Sequence, residues 1–246
     1  TVLAQCDAAM GVKNGMDEHE MKNFVGTFAP PFAVINDLDF LSTLPERYWT
    51  GGLSEAFKVA LIRDARLFAR LRRQARALRS RDLEAMAAVI KRTARIHLDH
   101  IRLGGDPFEM GSARPLDFGH WAGHKLELLS HHRLGHGEAV AIGIAIDVCY
   151  AAGCGLLTET QRDEILEAMQ SVGLPLWDRS AEAQAPAGGP ALLQGLEEFR
   201  EHLGGRLTLT LPRGIGEAVE VHRMHPSTLL DALSYLRSRE TGDRAL

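Results

Sequence analysis

Cysteine is scarce in this chain, with only Cys6, Cys149 and Cys154 among 246 residues. Their number and irregular spacing exclude a disulfide framework and a cysteine zinc site. We expect all three to behave as small buried apolar side chains. An excess of basic residues is also missing, since 28 lysines and arginines face 32 aspartates and glutamates. This balance argues against a nucleic-acid partner.

Long apolar runs are absent as well. The longest, residues 139–152, contains Asp147 and is too short to span a bilayer. The sequence does not open with a basic segment followed by an apolar one, as a secretory signal does. We therefore expect a cytoplasmic protein without a membrane partner.

Helical periodicity dominates what is present. Asp82 and Thr158 are predicted N-caps, and Gly173 is a predicted C-cap. Arginines between residues 70 and 81 are interpreted as the solvated side of a helix, because no aromatic side chains alternate with them. The predicted helices cover residues 52–78, 82–103, 115–129, 137–152, 158–172 and 226–239.

Strand signals are few. Residues 32–37 have the composition of a short buried strand. Residues 206–211 alternate between apolar and polar, and residues 218–222 follow after a turn that contains glycine, which predicts a hairpin. The pattern therefore predicts a helical bundle with a small β-hairpin.

Histidine is the most informative residue type. Five of the eleven histidines lie between His120 and His136. His120 and His124 are four residues apart and share one helix face, while His136 leads into the next helix. Two such histidines can hold a metal ion if a third ligand arrives from elsewhere. The spacing also fits histidines without a metal, and it leaves both possibilities open.

Lysine is used sparingly. Only five of the 28 basic residues are lysines, which suggests that lysine is kept where a compact ammonium is needed, for example against a phosphate. Lys58 lies one helical turn after Glu55 on the same face. A chance distribution explains any single lysine equally well.

Several phrases occur in the order typical of one enzyme family. Residues 3–15 place an aspartate and then a lysine in a glycine loop, and residues 136–140 read His-Gly-Glu-Ala-Val. Residues 118–124 read Phe-Gly-His-Trp-Ala-Gly-His. Over essentially its whole length the chain resembles the 3-dehydroquinate synthase-like sugar phosphate cyclases. It looks like a divergent paralogue, closer to Ebo-cluster or sedoheptulose 7-phosphate cyclase-type members.

The resemblance implies a set of site residues. Glu55, His120 and His136 would bind Zn2+, Co2+ or another divalent metal. The implied catalytic residues are Lys58, His124, Lys13 and Asp117. The implied NAD-binding residues are Asp7, Lys22 and Thr43. The implied residues for a phosphorylated sugar substrate are Asn23, Lys13, Arg114 and His97.

The resemblance also implies a fold. The class is mainly α, a dehydroquinate synthase-like C-terminal helical domain with a small β-hairpin, preceded by the tail of a truncated Rossmann-like α/β domain. Residues 1–45 would be the remnant of that dinucleotide-binding domain, and residues 46–246 the metal- and substrate-binding domain. We expect residues 1–246 alone to bind metal, to hold NAD poorly and to show no turnover. The family also implies a homodimer.

Departures from the family pattern concern the substrate. Ala113 stands where an arginine is usual, Asp117 where an asparagine is usual and His97 where a lysine is expected. In 3-dehydroquinate synthases these positions include those that grip the substrate carboxylate. Losing two cations and gaining an acid disfavours an anionic substrate group there. The resemblance therefore implies a substrate other than the usual shikimate precursor.

Three alternatives stay open. The chain could be a true 3-dehydroquinate synthase, with Arg114 or His97 replacing the lost contacts. It could be an NAD(P)-linked, metal-dependent alcohol dehydrogenase, which has the same helical fold. It could also be a binding protein without catalytic activity.

Overall fold

The computed structural model describes residues 1–11, 15–18, 21–29, 31–103, 115–186, 188–202 and 205–243. In these ranges α-helices alternate with short turns, and two antiparallel hairpins are the only paired strands. The helices are α1 (Glu46–Gly51), α2 (Leu53–Arg63), α3 (Ala65–Arg73), α4 (Ala75–Arg79), α5 (Leu83–Leu103), α6 (His120–Leu129), α7 (His136–Gly153), α8 (Glu159–Ser171), α9 (Ala191–His202) and α10 (Pro226–Asp243). The strands are β1 (Gly15–Glu18), β2 (Met21–Gly26), β3 (Leu209–Pro212) and β4 (Ala218–Val221).

The predicted mainly α fold class is confirmed. Helix α7 lies at the centre of the described helices. Nearly every side chain of α7 is buried, on all sides of the helix. A helix that is apolar all round must be covered all round, and α1, α2, α6, α8 and α10 contact it. Among the described helices, none combines the length and hydropathy needed to cross a membrane.

Glycines bring α6 and α7 unusually close together. A Cβ atom on Gly123 of α6 would lie 3.2 Å from Cα of Val140 in α7. A Cβ atom on Gly143 of α7 would lie 2.0 Å from the carbonyl oxygen of Gly119, directly before α6. Larger residues at these positions would therefore separate the two helices.

The predicted helix over residues 52–78 is wrong as a single helix. Asp64 has φ −149° and ψ 88°, which ends α2. Its carboxylate then accepts hydrogen bonds from the N–H groups of Arg66 (3.0 Å) and Leu67 (3.2 Å), which begins α3. N-capping by aspartate has overridden the continuous apolar periodicity.

Two other predictions are wrong. Residues 32–37 form no strand, and Phe32 and Ile35 are exposed. Their apolar character therefore does not mark a core position in the described chain. Cys154 is exposed, while Cys6 and Cys149 are buried as expected.

The predicted hairpin and the two predicted N-caps are confirmed, while the C-cap of α8 is Val172, one residue before the predicted Gly173. Strands β3 and β4 pair antiparallel, with Leu209 opposite Val221. The Thr158 hydroxyl accepts from the N–H of Gln161 at 3.1 Å, and Asp82 accepts from Ala85 at 2.9 Å. The β1–β2 hairpin and helix α9 were not predicted.

Candidate metal centre

Three side chains from three helices converge on one point. Glu55 lies in the first turn of α2, while His120 and His136 are the first residues of α6 and α7. Glu55 Oε1 is 3.7 Å from Nε2 of His120 and 3.7 Å from Nε2 of His136. In a tetrahedral zinc site with ligand bonds of 2.0–2.2 Å, ligand atoms are about 3.4 Å apart. The donor set and its spacing therefore fit a divalent metal ion.

His120 is oriented by the backbone. Its Nδ1 is 3.1 Å from the carbonyl oxygen of Phe118, and since a carbonyl only accepts, Nδ1 must carry the proton. Nε2 is then left with its lone pair toward Glu55. Burial lowers the pKa of His120 well below its usual range, and the positive charges of Lys58 and the neighbouring histidines lower it further. A neutral imidazole is the form that binds metal.

His136 is oriented by a carboxylate instead. Its Nδ1 is 3.4 Å from Glu127 Oε2. Burial would lower the pKa of His136, but the carboxylates of Glu127 and Glu55 outweigh burial and raise it to about 9. A carboxylate behind a ligand histidine is the usual arrangement at zinc sites, because it fixes the tautomer and increases the basicity of the ring.

A buried charge network lies behind Glu55. The ammonium of Lys58 is 2.6 Å from Glu55 Oε2 and forms a second ion pair with Asp7. His97 Nδ1 is 3.2 Å from the other oxygen of Asp7. Burial would raise the pKa of Glu55, but Lys58 and His136 keep it well below its usual range. The network therefore holds Glu55 ionised, with Oε1 directed to the two histidines.

His124 lies beside the centre. Its ring centroid is 5.5 Å from that of His120 and 5.8 Å from that of His136. With Glu127 and His136 it forms a second group whose possible ligand atoms lie within 4.8 Å of one another. The side chain is thus placed to contact whatever the centre binds.

Other predicted site residues are less well defined. Asp117 is half-buried in a 3-10 turn (Pro115–Asp117) that precedes α6. Thr43 is exposed, and its hydroxyl donates within its own turn, to Phe40 at 3.4 Å. Lys22 and Asn23 lie on β2, but their side chains fall outside the described part of the chain. Lys13 and Arg114 also lie outside the described residues.

Two residues near the centre were missed from the sequence. Glu127 is three residues after His124 and so shares its helix face, a spacing that could have suggested it. Asp147 interrupts the longest apolar run, and its carboxylate accepts from the indole N–H of Trp121 at 2.8 Å. Burial raises the pKa of Asp147 to about 7, against the opposing effect of its N–H donors. A carboxylate in an otherwise apolar helix was the available signal.

A cavity of about 210 Å³ adjoins the start of α7. His136 lines it together with Arg47, Tyr48 and four glycines at the end of α1 and the start of α7, Gly51, Gly52, Gly135 and Gly137. Space for a small ligand therefore exists next to His136.

Family comparisons agree with this geometry. The family model described as 3-dehydroquinate synthase C-terminal matches residues 52–188, and the model described as 3-dehydroquinate synthase N-terminal matches residues 1–51. The fold and the match over more than half of the chain define a sugar phosphate cyclase-like protein. The chain belongs to the 3-dehydroquinate synthase family.

Curated relatives are 3-dehydroquinate synthases. That of Xylella fastidiosa (strain 9a5c) is 34% identical over 98% of this chain and 61% of its own length. That of Xanthomonas axonopodis pv. citri (strain 306) is 36% identical over 95% of this chain and 63% of its own length. The chain thus spans about three-fifths of the length of these relatives.

Solved structures give the same fold. ValA, a 2-epi-5-epi-valiolone synthase from Streptomyces hygroscopicus subsp. jinggangensis 5008 with NAD+ and Zn2+ bound, superposes with a TM-score of 0.87. It is 33% identical, over 97% of this chain and 65% of ValA. A 2-deoxy-scyllo-inosose synthase complexed with carbaglucose-6-phosphate, NAD+ and Co2+ has a TM-score of 0.75. Its 21% identity over 97% of this chain and 65% of its own supports the fold alone.

Proposed function

We propose that the whole protein is a metal- and NAD-dependent sugar phosphate cyclase, which closes a phosphorylated sugar into a ring with loss of phosphate. The observation that carries the proposal is Glu55 Oε1 at 3.7 Å from two histidine Nε2 atoms, each on an oriented ring. Family membership supports the reaction class, since the curated relatives are 3-dehydroquinate synthases.

Glu55, His120 and His136 would hold zinc, cobalt or another divalent ion. Such an ion polarises a hydroxyl–carbonyl pair, and the nicotinamide takes and returns a hydride. ValA supports both cofactors, because it binds Zn2+ and NAD+ and is 33% identical over nearly the whole chain. For NAD we propose Asp7, Lys22 and Thr43. Asp7 has a partly exposed carboxylate whose lone pairs can accept a further hydrogen bond.

Lys58 and His124 are the proposed catalytic residues whose surroundings are best defined. The Lys58 ammonium is almost completely buried between Glu55 and Asp7, so it is held at a fixed distance from the metal-facing carboxylate. These two ion pairs use two of its three N–H donors, and we propose that the third donates to a substrate hydroxyl. His124 can hold or pass a proton at a ring nitrogen beside His120 and His136. We propose Lys13 and Asn23 for substrate and phosphate.

We further propose that the substrate is not the usual shikimate precursor. His97 replaces the expected lysine, and its Nδ1 is directed to the carboxylate of Asp7 at 3.2 Å. Asp117 adds an acid where the family usually has an amide. An additional substrate carboxylate would meet more negative charge here than in a 3-dehydroquinate synthase. Arg114 and His97 remain the proposed substrate contacts.

True 3-dehydroquinate synthase is the second candidate, and the names of the curated relatives favour it. An NAD(P)-linked alcohol dehydrogenase of the same fold is the third candidate, from a different class of reaction.

Metal analysis and a substrate panel on the full-length protein separate these candidates. We expect a divalent ion that is lost in Glu55→Gln, and phosphate release from a sugar phosphate without a carboxylate. Faster turnover of the carboxylated shikimate precursor would reject the substrate proposal. Net NADH formation from a simple alcohol would reject the cyclase.

Light scattering tests the proposed homodimer, and assays of residues 1–246 alone test their expected inactivity.

A further inference from the structure

Asp147 occupies an improbable place for a carboxylate. It lies in the middle of α7, is 1% exposed and is flanked by buried apolar residues. Burying an ionised carboxylate is costly unless its oxygens receive hydrogen bonds. One oxygen accepts from the N–H of Gly119 at 3.0 Å and the other from Nε1 of Trp121 at 2.8 Å. The two donors flank a single residue, His120.

The Gly119 hydrogen bond acts on a peptide that also contacts His120. The N–H of Gly119 and the carbonyl of Phe118 belong to one planar peptide unit, in which they point in opposite directions. The N–H is fixed by Asp147. The carbonyl oxygen, in turn, accepts the Nδ1 proton of His120 at 3.1 Å. Holding one end of this rigid unit therefore sets the position of the acceptor at the other end.

The backbone before His120 needs such an anchor. Gly119 has φ +77°, in the left-handed region, and no side chain caps the start of α6. A Cβ atom there would lie 2.6 Å from Cγ1 of Ile144. The peptide is therefore fixed by the fold of α7 and by Asp147, and not by helix capping.

We propose that Asp147 is a positioning residue that fixes the orientation and tautomer of His120 through the peptide between Phe118 and Gly119, and thereby sets metal affinity. The inference rests on the proposed function in treating His120 as a metal ligand. Glu127 contacts His136 directly, whereas Asp147 reaches His120 through one peptide. In its ionised form the Asp147 carboxylate also polarises the peptide, which strengthens the Phe118 carbonyl as an acceptor.

The principal test is Asp147→Asn in the full-length protein. Asparagine has nearly the same size but only one accepting oxygen, so one of the two N–H donors must face an NH2 group. Outer-shell changes cost about 10–100-fold in metal affinity, and through one peptide we expect about 10-fold for Zn2+. The visible absorption of the Co2+-loaded protein should shift as well, because the ligand geometry changes.

Asp64→Asn is the matched control. Asp64 is also a buried carboxylate that accepts two backbone N–H groups, those of Arg66 and Leu67, but it caps α3 and also pairs with Arg92 at 2.6 Å. It should lower the melting temperature without changing Zn2+ affinity or the Co2+ spectrum. An equal loss of affinity in Asp64→Asn would show that general destabilisation is the cause and would overturn the inference.

Two further outcomes are decisive. A folded Asp147→Asn protein with unchanged Zn2+ affinity and Co2+ spectrum overturns the inference, while loss of metal in Glu55→Gln leaves the proposed centre intact. If Asp147→Asn does not fold, Trp121→Phe removes the indole donor and keeps the Gly119 hydrogen bond to Asp147, although it also leaves a smaller buried ring. We expect a few-fold loss of affinity in that variant, and no loss with an unchanged spectrum would overturn the inference.

If the wild-type protein binds no divalent ion, the proposed function fails, but the positioning role of Asp147 can still be tested. In that case 15N NMR shows whether His120 carries its proton on Nδ1 in the wild type and whether Asp147→Asn changes this tautomer.

Discussion

The starts of α6 and α7 perform the same task with different chemistry. Each begins with a histidine that follows a glycine, and each directs Nε2 to the same oxygen of Glu55. The His120 side chain is 11% exposed and its Nδ1 faces a carbonyl, whereas the His136 side chain is 31% exposed and its Nδ1 faces a carboxylate. The buried ring contacts a neutral carbonyl, and the more exposed ring contacts a charged carboxylate.

The backbone segments before the two histidines also differ, since one is held by close packing and the other by a charged side chain. Gly119 takes a left-handed conformation against Ile144, so the start of α6 depends on close packing. Gly135 is extended, and its N–H donates at 2.8 Å to the carboxylate of Glu138, which Arg47 also contacts. Dense packing tolerates little change in volume, while exposed charges contribute modestly. We therefore expect a substitution at Gly119 to lower the unfolding free energy more than one at Gly135.

The largest effect is expected for Glu55→Gln, which removes the charge that both histidines share. Even outer-shell changes cost about 10–100-fold in metal affinity, so loss of a ligand charge should cost more than about 100-fold. Competition with a chelator measures this. Glu164→Gln, at a surface ion pair with Arg72, is the control and should bind metal as the wild type does. Retention of tight binding in Glu55→Gln would remove Glu55 from the centre.

Gly119→Ala against Gly135→Ala tests the difference between the two backbones. At Gly119 the left-handed strain of about 1–2 kcal/mol adds to an overpacking cost of about 1–3 kcal/mol. At Gly135 the nearest atom to a new Cβ is the Arg47 side chain at 3.4 Å, so the unfolding free energy should change by less than about 0.5 kcal/mol. Urea unfolding measures both, and equal losses would contradict the comparison.

Glu127→Gln removes the charge behind His136 and keeps the shape. We expect Zn2+ affinity to fall by about 10–100-fold, because the ring loses basicity and a fixed tautomer. Isothermal titration measures the affinity. The control is Glu198→Gln, at an exposed ion pair with Lys125, which should leave affinity unchanged. If Glu127→Gln behaves like its control, the two histidines do not differ in the way described.

The smallest effect is expected for Glu138→Gln. Glutamine can still accept from the N–H of Gly135, so only the ion pair with Arg47 is lost. Such exposed pairs contribute about 0.2–1 kcal/mol to the unfolding free energy. Thermal unfolding measures the loss, and Zn2+ affinity should change by less than about twofold. A larger loss of affinity would mean that the ion pair between Glu138 and Arg47 holds His136 in place more than the helical backbone of α7 does.

The sequence pointed to the three proposed metal ligands, but not to the residues that orient them. Glu55, His120 and His136 belong to phrases that occur in family order, and the structure brings them together. Asp147 and its donor Trp121 are 26 residues apart on different helices, and no local periodicity joins them. Contacts of this kind depend on how helices pack, which a single sequence does not encode locally.

The fold was mispredicted at two places, the helix break at Asp64 and residues 32–37, where a local sequence pattern favoured a different structure. The helix break at Asp64 follows from an aspartate cap that the sequence contained, but apolar periodicity continues past it. Residues 32–37 combine aromatic and β-branched side chains, yet a strand needs a neighbour, and none pairs with them among the described residues. Residue propensity indicated a possible strand at residues 32–37, but whether a strand forms also depends on pairing with a neighbouring strand.

The close glycine contact between α6 and α7 has a consequence for the order of folding. Only residues 130–135 separate the two helices, so closing that loop costs little chain entropy, and the two histidines can meet early. Glu55 precedes His120 by 65 positions, so it joins them through a contact that is long-range in sequence. A complete centre can therefore exist only after α2 has docked on the helical pair. During refolding, the time at which the protein binds metal would then show when α2 packs against α6 and α7. Metal binding would be a late step, which only correctly assembled molecules complete.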